Sequence, residues 1–312
     1  MITSGIKTAI LVNLDANDGR ASRRWKKISA SVLNKFCETE TVEYNTPFDI
    51  KECLSTLING NQVKAIISAG GDGSANIILN ELMNNHRNEN ISLGFIGLGS
   101  SNDILKPNKQ FINKIPVQLD IDRAIRTDVG CINYFGIDQT HKQKYFLSNS
   151  SLGLGASANQ LFNHEDRIIR STKSRLTNLA ILYTIIKTIL TYKNYPAQIE
   201  FKDHKKDLSV SYIVVLKNPH ISGYLKFDQN LSPSDGMLSL NICEGMNKKE
   251  LIKLLFDLSN GRFGSTGKRE SYSVADIKIT TSDHVPLEMD GEVVMAKDIS
   301  YSVIKAAINV MQ

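Results

Sequence analysis

Over the first 126 residues short apolar runs alternate with longer segments of helical period, the arrangement that a parallel sheet with crossover helices requires. Thr8 to Asn13 predicts a strand, Arg20 to Phe36 an amphipathic helix, Thr41 to Tyr44 a short apolar run, Phe48 to Ile58 a helix and Val63 to Ala69 an apolar strand. A helix from Ser74 to Asn84 and a strand from Ser92 to Ile96 continue the alternation. Strand and helix in this order predict a doubly wound α/β domain over residues 1–126, whose ligands bind beyond the carboxyl ends of the strands. From residue 127 to about 299 the pattern shifts to short alternating runs, Tyr145 to Asn149, Ser209 to Leu216, Met237 to Ile242 and Val274 to Thr280, punctuated by Gly, Pro, Asn and Asp. That pattern predicts a β-rich, sandwich-type second domain, with the tail from about residue 300 to 312 returning to the first.

Two helices interrupt the β-rich part: Lys248 to Leu258, with Asn247 as its N-cap, and the apolar stretch Leu176 to Tyr192. The latter, about 17 residues, is at the lower limit for spanning a bilayer. It contains Lys187 and Asn178 and runs into Lys193-Asn194-Tyr195-Pro196, so it reads as a packed or interfacial helix. Arg167, Arg170, Lys173 and Arg175 precede it, a basic run suited to lipid headgroups and to peripheral membrane contact.

Composition narrows the classes. The 312 residues are 41% hydrophobic and 22% charged with a net charge of +5, which excludes disordered, collagen-like and coiled-coil chains. Basic residues are not gathered into one module, which argues against a nucleic-acid partner. Cys37, Cys53, Cys131 and Cys243 form no CxxC pair, so neither a zinc knuckle nor a disulfide framework is suggested. His86, His141, His164, His204, His220 and His284 show no metal spacing. Met1 to Lys7 lacks the apolar run and cleavage site of a secretory signal; the expectation is a cytoplasmic protein working at the inner face of the membrane. The pattern does not decide between monomer and homodimer.

The sharpest chemistry lies in Ser68-Ala-Gly70-Gly71-Asp72-Gly73-Ser74, where an apolar strand ends in glycines and passes straight into a helix. Glycines let the backbone approach a ligand, and a new helix offers N–H groups and a positive dipole end to phosphate. Asp72 in such an anion cradle predicts a divalent cation or a hydroxyl between it and the phosphates. A second turn, Gly94-Phe-Ile-Gly97-Leu-Gly99-Ser100-Ser101-Asn102-Asp103, follows the next strand. Neither turn is a Walker A loop or a dinucleotide GxGxxG. Near the C-terminus Asp290-Gly291-Glu292 sets two carboxylates around a glycine, equally the pattern of a two-residue hairpin turn.

In this order the three motifs resemble the diacylglycerol kinase catalytic-domain superfamily, which includes bacterial lipid kinases and sphingosine kinases. Gly70 to Ser74 is similar to its GGDGT, Gly97 to Asp103 to P-x-G-T-x-N-D, and Asp290 to Glu292 to D-G-E. Asn13 with Gly19 resembles the N-P-x-x-G motif, Thr127-Asp128-Val-Gly130 the opening of the second domain, and Pro233 to Leu238 the D-D-G-x-L turn that holds a structural Mg²⁺ in some bacterial members. Leu14, Gly97, Ser100, Ser74 and Ser234 depart from these patterns; Ser234 removes one acid of D-D-G, leaving Asp235 as the metal candidate. Ser157 and Asn159 stand after Gly153-Leu-Gly-Ala156 where sphingosine kinases carry an acid, which argues against a sphingoid base.

The resemblance implies an NAD kinase/phosphofructokinase-like first domain and transfer of the ATP γ-phosphoryl group, with Mg²⁺, to a lipid hydroxyl such as that of diacylglycerol or phosphatidylglycerol. Asp290 is then the candidate general base, supported by Glu292 and Asp72. Asn13, Gly70, Gly71, Gly73, Ser74, Gly99, Ser100, Asn102 and Asp103 hold the nucleotide. The alternatives are a kinase for a soluble acceptor, in the manner of NAD kinases, and a non-catalytic nucleotide- or lipid-binding regulator.

Overall fold

The computed structural model describes residues 3–45, 47–61, 63–85, 90–107, 110–163, 177–265 and 267–312. The chain divides into two compact units, Met1–Thr127 with Ala306–Gln312, and Asp128–Lys305.

The first unit runs β1 (Thr3–Asn13), α1 (Arg20–Leu33), β2 (Phe36–Tyr44), α2 (Pro47–Asn61), β3 (Ala65–Gly70), α3 (Asp72–Asn85), β4 (Ser92–Gly97), β5 (Phe111–Ile112) and β6 (Ile115–Gln118). Its sheet is parallel in the order β2-β1-β3-β4. Every residue of β3 and β4 is buried, because a parallel sheet is covered on both faces and its central strands need no polar side. α1 buries Ala21, Trp25, Ile28 and Val32 against Ile10, Val12, Ile67 and Ile96. Beyond β4 two segments share one edge: Asn309 and Val310 pair parallel with Ser92 and Leu93, and Gln118 and Val117 pair antiparallel with Phe95 and Ile96. All the strand ends that bear Asn13, Tyr44, Gly70 and Gly97 therefore lie at the carboxyl edge of one sheet.

The second unit takes in β7 (Ile125–Gly136), β8 (His141–Phe146), β9 (Asn149–Gly153), α4 (Leu154–Asn163), α5 (Thr177–Thr191), β10 (Tyr195–Phe201) and β11 (His204–Leu216). It continues with β12 (His220–Ile221), β13 (Leu225–Lys226), β14 (Leu238–Glu244), α6 (Lys248–Ser259), β15 (Arg269–Val274), β16 (Asp276–Thr281), β17 (Val285–Met289) and β18 (Glu292–Val310). Its ladder closes on itself in the order β9-β11-β10-β16-β18-β17 and back to β9. β11 and β18 manage this by changing partner midway: β11 pairs with β10 up to Val210 and with β9 from Tyr212, while β18 pairs first with β17 and then with β16. Ile199, Ile213, Leu240, Ile279, Leu287 and Ile299 fill the enclosed core, as in sandwiches whose inner faces interdigitate.

Two expected strands are broken. Tyr145 to Asn149 divides at Leu147 and Ser148, because the N–H groups of Leu147, Ser148 and Asn149 all turn to the Asp290 carboxylate instead of a ladder. Val274 to Thr280 divides at Ala275, where the chain leaves its pairing with β14 and takes up β10 and β18. α4, not among the expected helices, starts directly after Gly153, which turns the chain at φ 80°. α5 packs Ile185 and Ile189 against Leu251 and Leu254 of α6, and among the described residues no helix is long and apolar enough to cross a membrane. Arg167, Arg170, Lys173 and Arg175 lie outside the described residues.

α6 opens with a full capping box: the Asn247 side chain accepts from the Glu250 N–H at 3.0 Å, and the Asn247 N–H donates to Glu250 Oε2 at 2.7 Å. Asn247→Ala removes half of it and is expected to cost about 1 kcal/mol, read as a melting temperature lower by roughly 2–4 °C in a thermal scan.

Candidate functional site

In the first unit the two glycine turns are zipped together by one carbonyl. Gly70 O accepts from the N–H groups of both Leu98 (2.8 Å) and Gly99 (2.9 Å). The approach is close enough that a Cβ on Gly99 would lie 2.3 Å from Gly71 Cα, and one on Gly70 would lie 2.4 Å from Ser74 Oγ. Gly73 differs: nothing lies within 4 Å of where its Cβ would stand. Packing therefore demands glycine at 70 and 99, whereas the absent side chain at 73 leaves open space over the first turn of α3, where a helix start presents N–H groups.

Side chains brace this backbone. Asn13 at the end of β1 donates through Nδ2 to Ser74 Oγ at 2.9 Å, while its Oδ1 accepts from the N–H groups of Asp15 and Ala16, both at 3.1 Å. Burial pushes the Tyr44 phenol up to about 12, the nearby Ser74 hydroxyl drawing it the other way. Asp72 Oδ1 accepts from the N–H of Ile104 at 3.1 Å, tying the start of α3 to the second turn. Asn102, at φ 53°, donates through Nδ2 to Gly99 O at 3.0 Å, and its buried Oδ1 has no hydrogen-bond partner among the described residues. Asp103 is paired with Lys106 at 2.7 Å, and Ser100 is exposed.

Arg24 is the residue that sequence reasoning missed. From α1 its Nη1 donates to Leu98 O (3.1 Å) and Gly99 O (3.0 Å), and burial holds the guanidinium below its usual range. The signal was available, since an arginine at position 24 borders the apolar stripe Ala21, Trp25, Ile28 and Val32 on the core face of the helix.

In the second unit Asp290 and Gly291, both at positive φ, form a two-residue hairpin turn between β17 and β18. The Asp290 carboxylate is 2% exposed. It accepts from the N–H of Leu147 at 2.9 Å and from those of Ser148 and Asn149 at 3.0 Å. Glu288, 3% exposed, accepts from the Gly291 N–H at 2.7 Å and from Ser151 Oγ at 2.8 Å. Glu292 is about one-third exposed, with Lys144 Nζ at 3.8 Å. The turn thus carries two buried, hydrogen-bonded carboxylates and one about one-third exposed; Asp290, the candidate general base on the resemblance, accepts three backbone N–H groups.

The residues of the first turns fit a nucleotide: open space over Gly73, an orphaned acceptor on Asn102, and the Asp72 carboxylate as a hard oxygen for a phosphate-bound Mg²⁺. Asp235 does not fit a metal. Its Oδ1 lies 3.3 Å from the Lys217 ammonium, which fills the space between it and Asp128, and among the described residues no His, Cys, Asp and Glu side chains group into a metal cluster.

The first unit is a parallel α/β sheet with a braced glycine cradle, and the second is a β-rich unit with an acid-bearing turn. Residues 7–127 match the diacylglycerol kinase catalytic domain, and residues 149–312 match the YegS C-terminal NAD kinase beta sandwich-like domain. The chain belongs to the family marked by the YegS-type C-terminal domain, whose match spans just over half of it, and carries a diacylglycerol kinase catalytic domain over residues 7–127; such a kinase family implies ATP as phosphoryl donor. "Putative lipid kinase SH2167" of Staphylococcus haemolyticus is 23% identical over 289 residues, covering 89% of this chain and 81% of its own. "Putative lipid kinase SAB0675c" of Staphylococcus aureus is 24% identical over 294 residues, covering 90% and 89%. A solved structure described as "A putative diacylglycerol kinase from Bacillus anthracis str. Sterne" superposes with a TM-score of 0.74 at 18% identity, over 99% of this chain and 98% of that one; at that identity the likeness is one of fold.

The two glycine environments separate packing from binding. Gly99→Ala is expected to cost about 1–3 kcal/mol through backbone overpacking, seen in a thermal scan. Gly73→Ala is expected to leave the melting temperature near that of wild type while weakening ATP binding in a fluorescent-nucleotide titration.

Proposed function

We propose that the protein is an ATP-dependent lipid kinase that transfers the γ-phosphoryl group to a lipid hydroxyl, diacylglycerol and phosphatidylglycerol being the acceptor classes to test first. The observation that carries the kinase is the zipped pair of glycine turns, with Asp72 and Ser74 held over an open α3 N-terminus. The relatives named as lipid kinases support a lipid acceptor. Bound at the cradle, ATP supplies the phosphoryl group and Mg²⁺ offsets its charge. Gly71, Gly73 and Ser74 would receive the phosphates and Asp72 would hold the cation, while Asn102 and Arg24 keep the second turn in place.

In the transfer the lipid oxygen bonds to the γ-phosphorus, the bond from that phosphorus to the bridging oxygen of ADP breaks, and the hydroxyl proton leaves to a carboxylate. A base must reach that proton. Glu292 is the acid of the turn with an accessible carboxylate, and Asp290 fixes the turn that carries it.

The second unit also carries a face suited to an anionic membrane. Ile252 and Phe256 of α6 and Ile186 and Leu190 of α5 are exposed. Lys249 and Lys253, exposed and at helical spacing with Ile252 and Phe256, share the outer face of α6. Apolar side chains beside lysines are the chemistry of interfacial helices.

The test is label transfer from γ-labelled ATP with Mg²⁺ to lipid in mixed micelles, with NAD offered as the soluble acceptor. A labelled lipid is expected; label on NAD alone would overturn the lipid reading. Glu292→Gln should lower kcat by about 10²–10⁴ with its melting temperature kept. Asp290→Ala should destabilise by on the order of 3 kcal/mol, because three backbone donors lose a charged acceptor. Sedimentation with phosphatidylglycerol vesicles should pull down wild type, and far less of Ile252→Ser/Phe256→Ser; equal recovery of both would remove α6 from the membrane contact.

A further inference from the structure

The turn expected to hold a structural cation already contains one, and it is covalently attached. Lys217, near the end of the second unit's long strand β11, has a side chain only 3% exposed. Its Nζ stands 3.3 Å from Asp128 Oδ2, 3.3 Å from Asp235 Oδ1, 3.1 Å from Ser232 O and 3.0 Å from Met237 O. Two carboxylates and two carbonyls converging on one point are the all-oxygen set that hard divalent cations select, but Mg²⁺ would need those oxygens at about 2.0–2.1 Å and Ca²⁺ at about 2.3–2.6 Å. The 3.0 and 3.1 Å spacings to the carbonyls are those of N–H donors, the 3.3 Å spacings to the carboxylates are those of ion pairs, and the ammonium occupies the centre. Asp128, 1% exposed, also accepts from the Gly236 N–H at 2.7 Å, while the Asp128 N–H donates to Pro233 O at 2.8 Å. The arrangement absorbs two motifs left without a role, the Thr127 to Gly130 run and the Pro233 to Leu238 turn.

We propose that the Lys217 ammonium does the work of a structural divalent cation, knitting the Ser232–Met237 turn to Asp128, so that this unit folds without metal. The brace extends to the acid turn through the backbone. The N–H groups of Lys217 and Asn218 donate to Ser148 O at 2.8 and 3.0 Å, and the Ser148 N–H donates to Asp290 Oδ1 at 3.0 Å. Lys217 is thus a positioning residue for the turn that bears Glu292. A lysine in place of a metal trades a dissociable bond for a permanent one; chelators and low Mg²⁺ leave it intact.

The test is thermal unfolding of the full chain without nucleotide or lipid, so its outcome is independent of which acceptor the kinase uses. Wild type is expected to melt at the same temperature in EDTA, Mg²⁺ and Ca²⁺. Lys217→Ala leaves buried Asp128 without its counter-charge, and its melting temperature in EDTA should fall by on the order of 10 °C. Millimolar Ca²⁺ or Mg²⁺ should then restore part of the loss saturably, the cation entering the vacated oxygens. Lys217→Met fills the same space without charge and should show the loss without the rescue. A wild type that melts lower in EDTA and recovers with Mg²⁺ would overturn the proposal, as would a Lys217→Ala protein that melts like wild type or that no cation stabilises. Should Lys217→Ala fail to fold in any buffer, Asp235→Asn at the half-exposed rim decides. A smaller loss, indifferent to cations, supports the ammonium as the partner, and an unchanged melting temperature refutes it.

Discussion

A single carbonyl organises the glycine-turn end of the first unit. Gly70 O takes the N–H groups of Leu98 and Gly99, and it can do so only because β3 and β4 run parallel and in register to their last residues, with Gly70 opposite Gly97. Parallel pairing puts both strand ends at the same edge, and the chain must leave each end by a turn. The turns then lie so close that Gly99 has no room for a Cβ against Gly71, while Ser74 at the start of α3 leaves none for Gly70. The remaining braces, Asn13 on Ser74, Asp72 on Ile104 and Arg24 on Leu98 and Gly99, steady a geometry that this backbone contact establishes.

In the second unit buried charge plays the same organising part. Asp290 gathers three backbone N–H groups that would otherwise belong to a strand, and Lys217 gathers four oxygens. A buried carboxylate or ammonium is tolerated only when its hydrogen-bonding capacity is met, so each such group dictates where the surrounding backbone must run. The break between β8 and β9 is the visible result, as Leu147 and Ser148 leave the ladder to serve Asp290.

Burial separates three acids of the turn that look alike in sequence. Asp290, Glu288 and Glu292 are neighbours in sequence, yet two are buried and hydrogen-bonded and one is about one-third exposed. The hairpin explains this: alternate residues of paired strands face opposite sides, and the positive-φ turn at Asp290 and Gly291 sends the Asp290 side chain back over the Leu147–Asn149 segment. The Asp290-Gly291 pair makes the hairpin turn that its residue types allow, and the acids beside it differ in burial.

Much of the fold was legible from the chain alone. Apolar runs and helical periods marked β1, β3, β4, α1, α3 and α6, and the Asn247 cap with its partner Glu250 was readable as local hydrogen-bond chemistry. The glycines of the two turns and the acids beside them were legible because backbone freedom and charge are properties of single residues. Residue type alone did not reveal which glycine packs and which leaves space, that Arg24 reaches the second turn, that Asp290 is buried while Glu292 is open, or that Lys217 stands where a metal was expected. Those outcomes depend on partners 74 residues away for Arg24, 142 for Asp290 and 89 for Lys217. Local sequence sets propensity and periodicity over a few residues, whereas burial and the satisfaction of charge are settled only when distant segments meet.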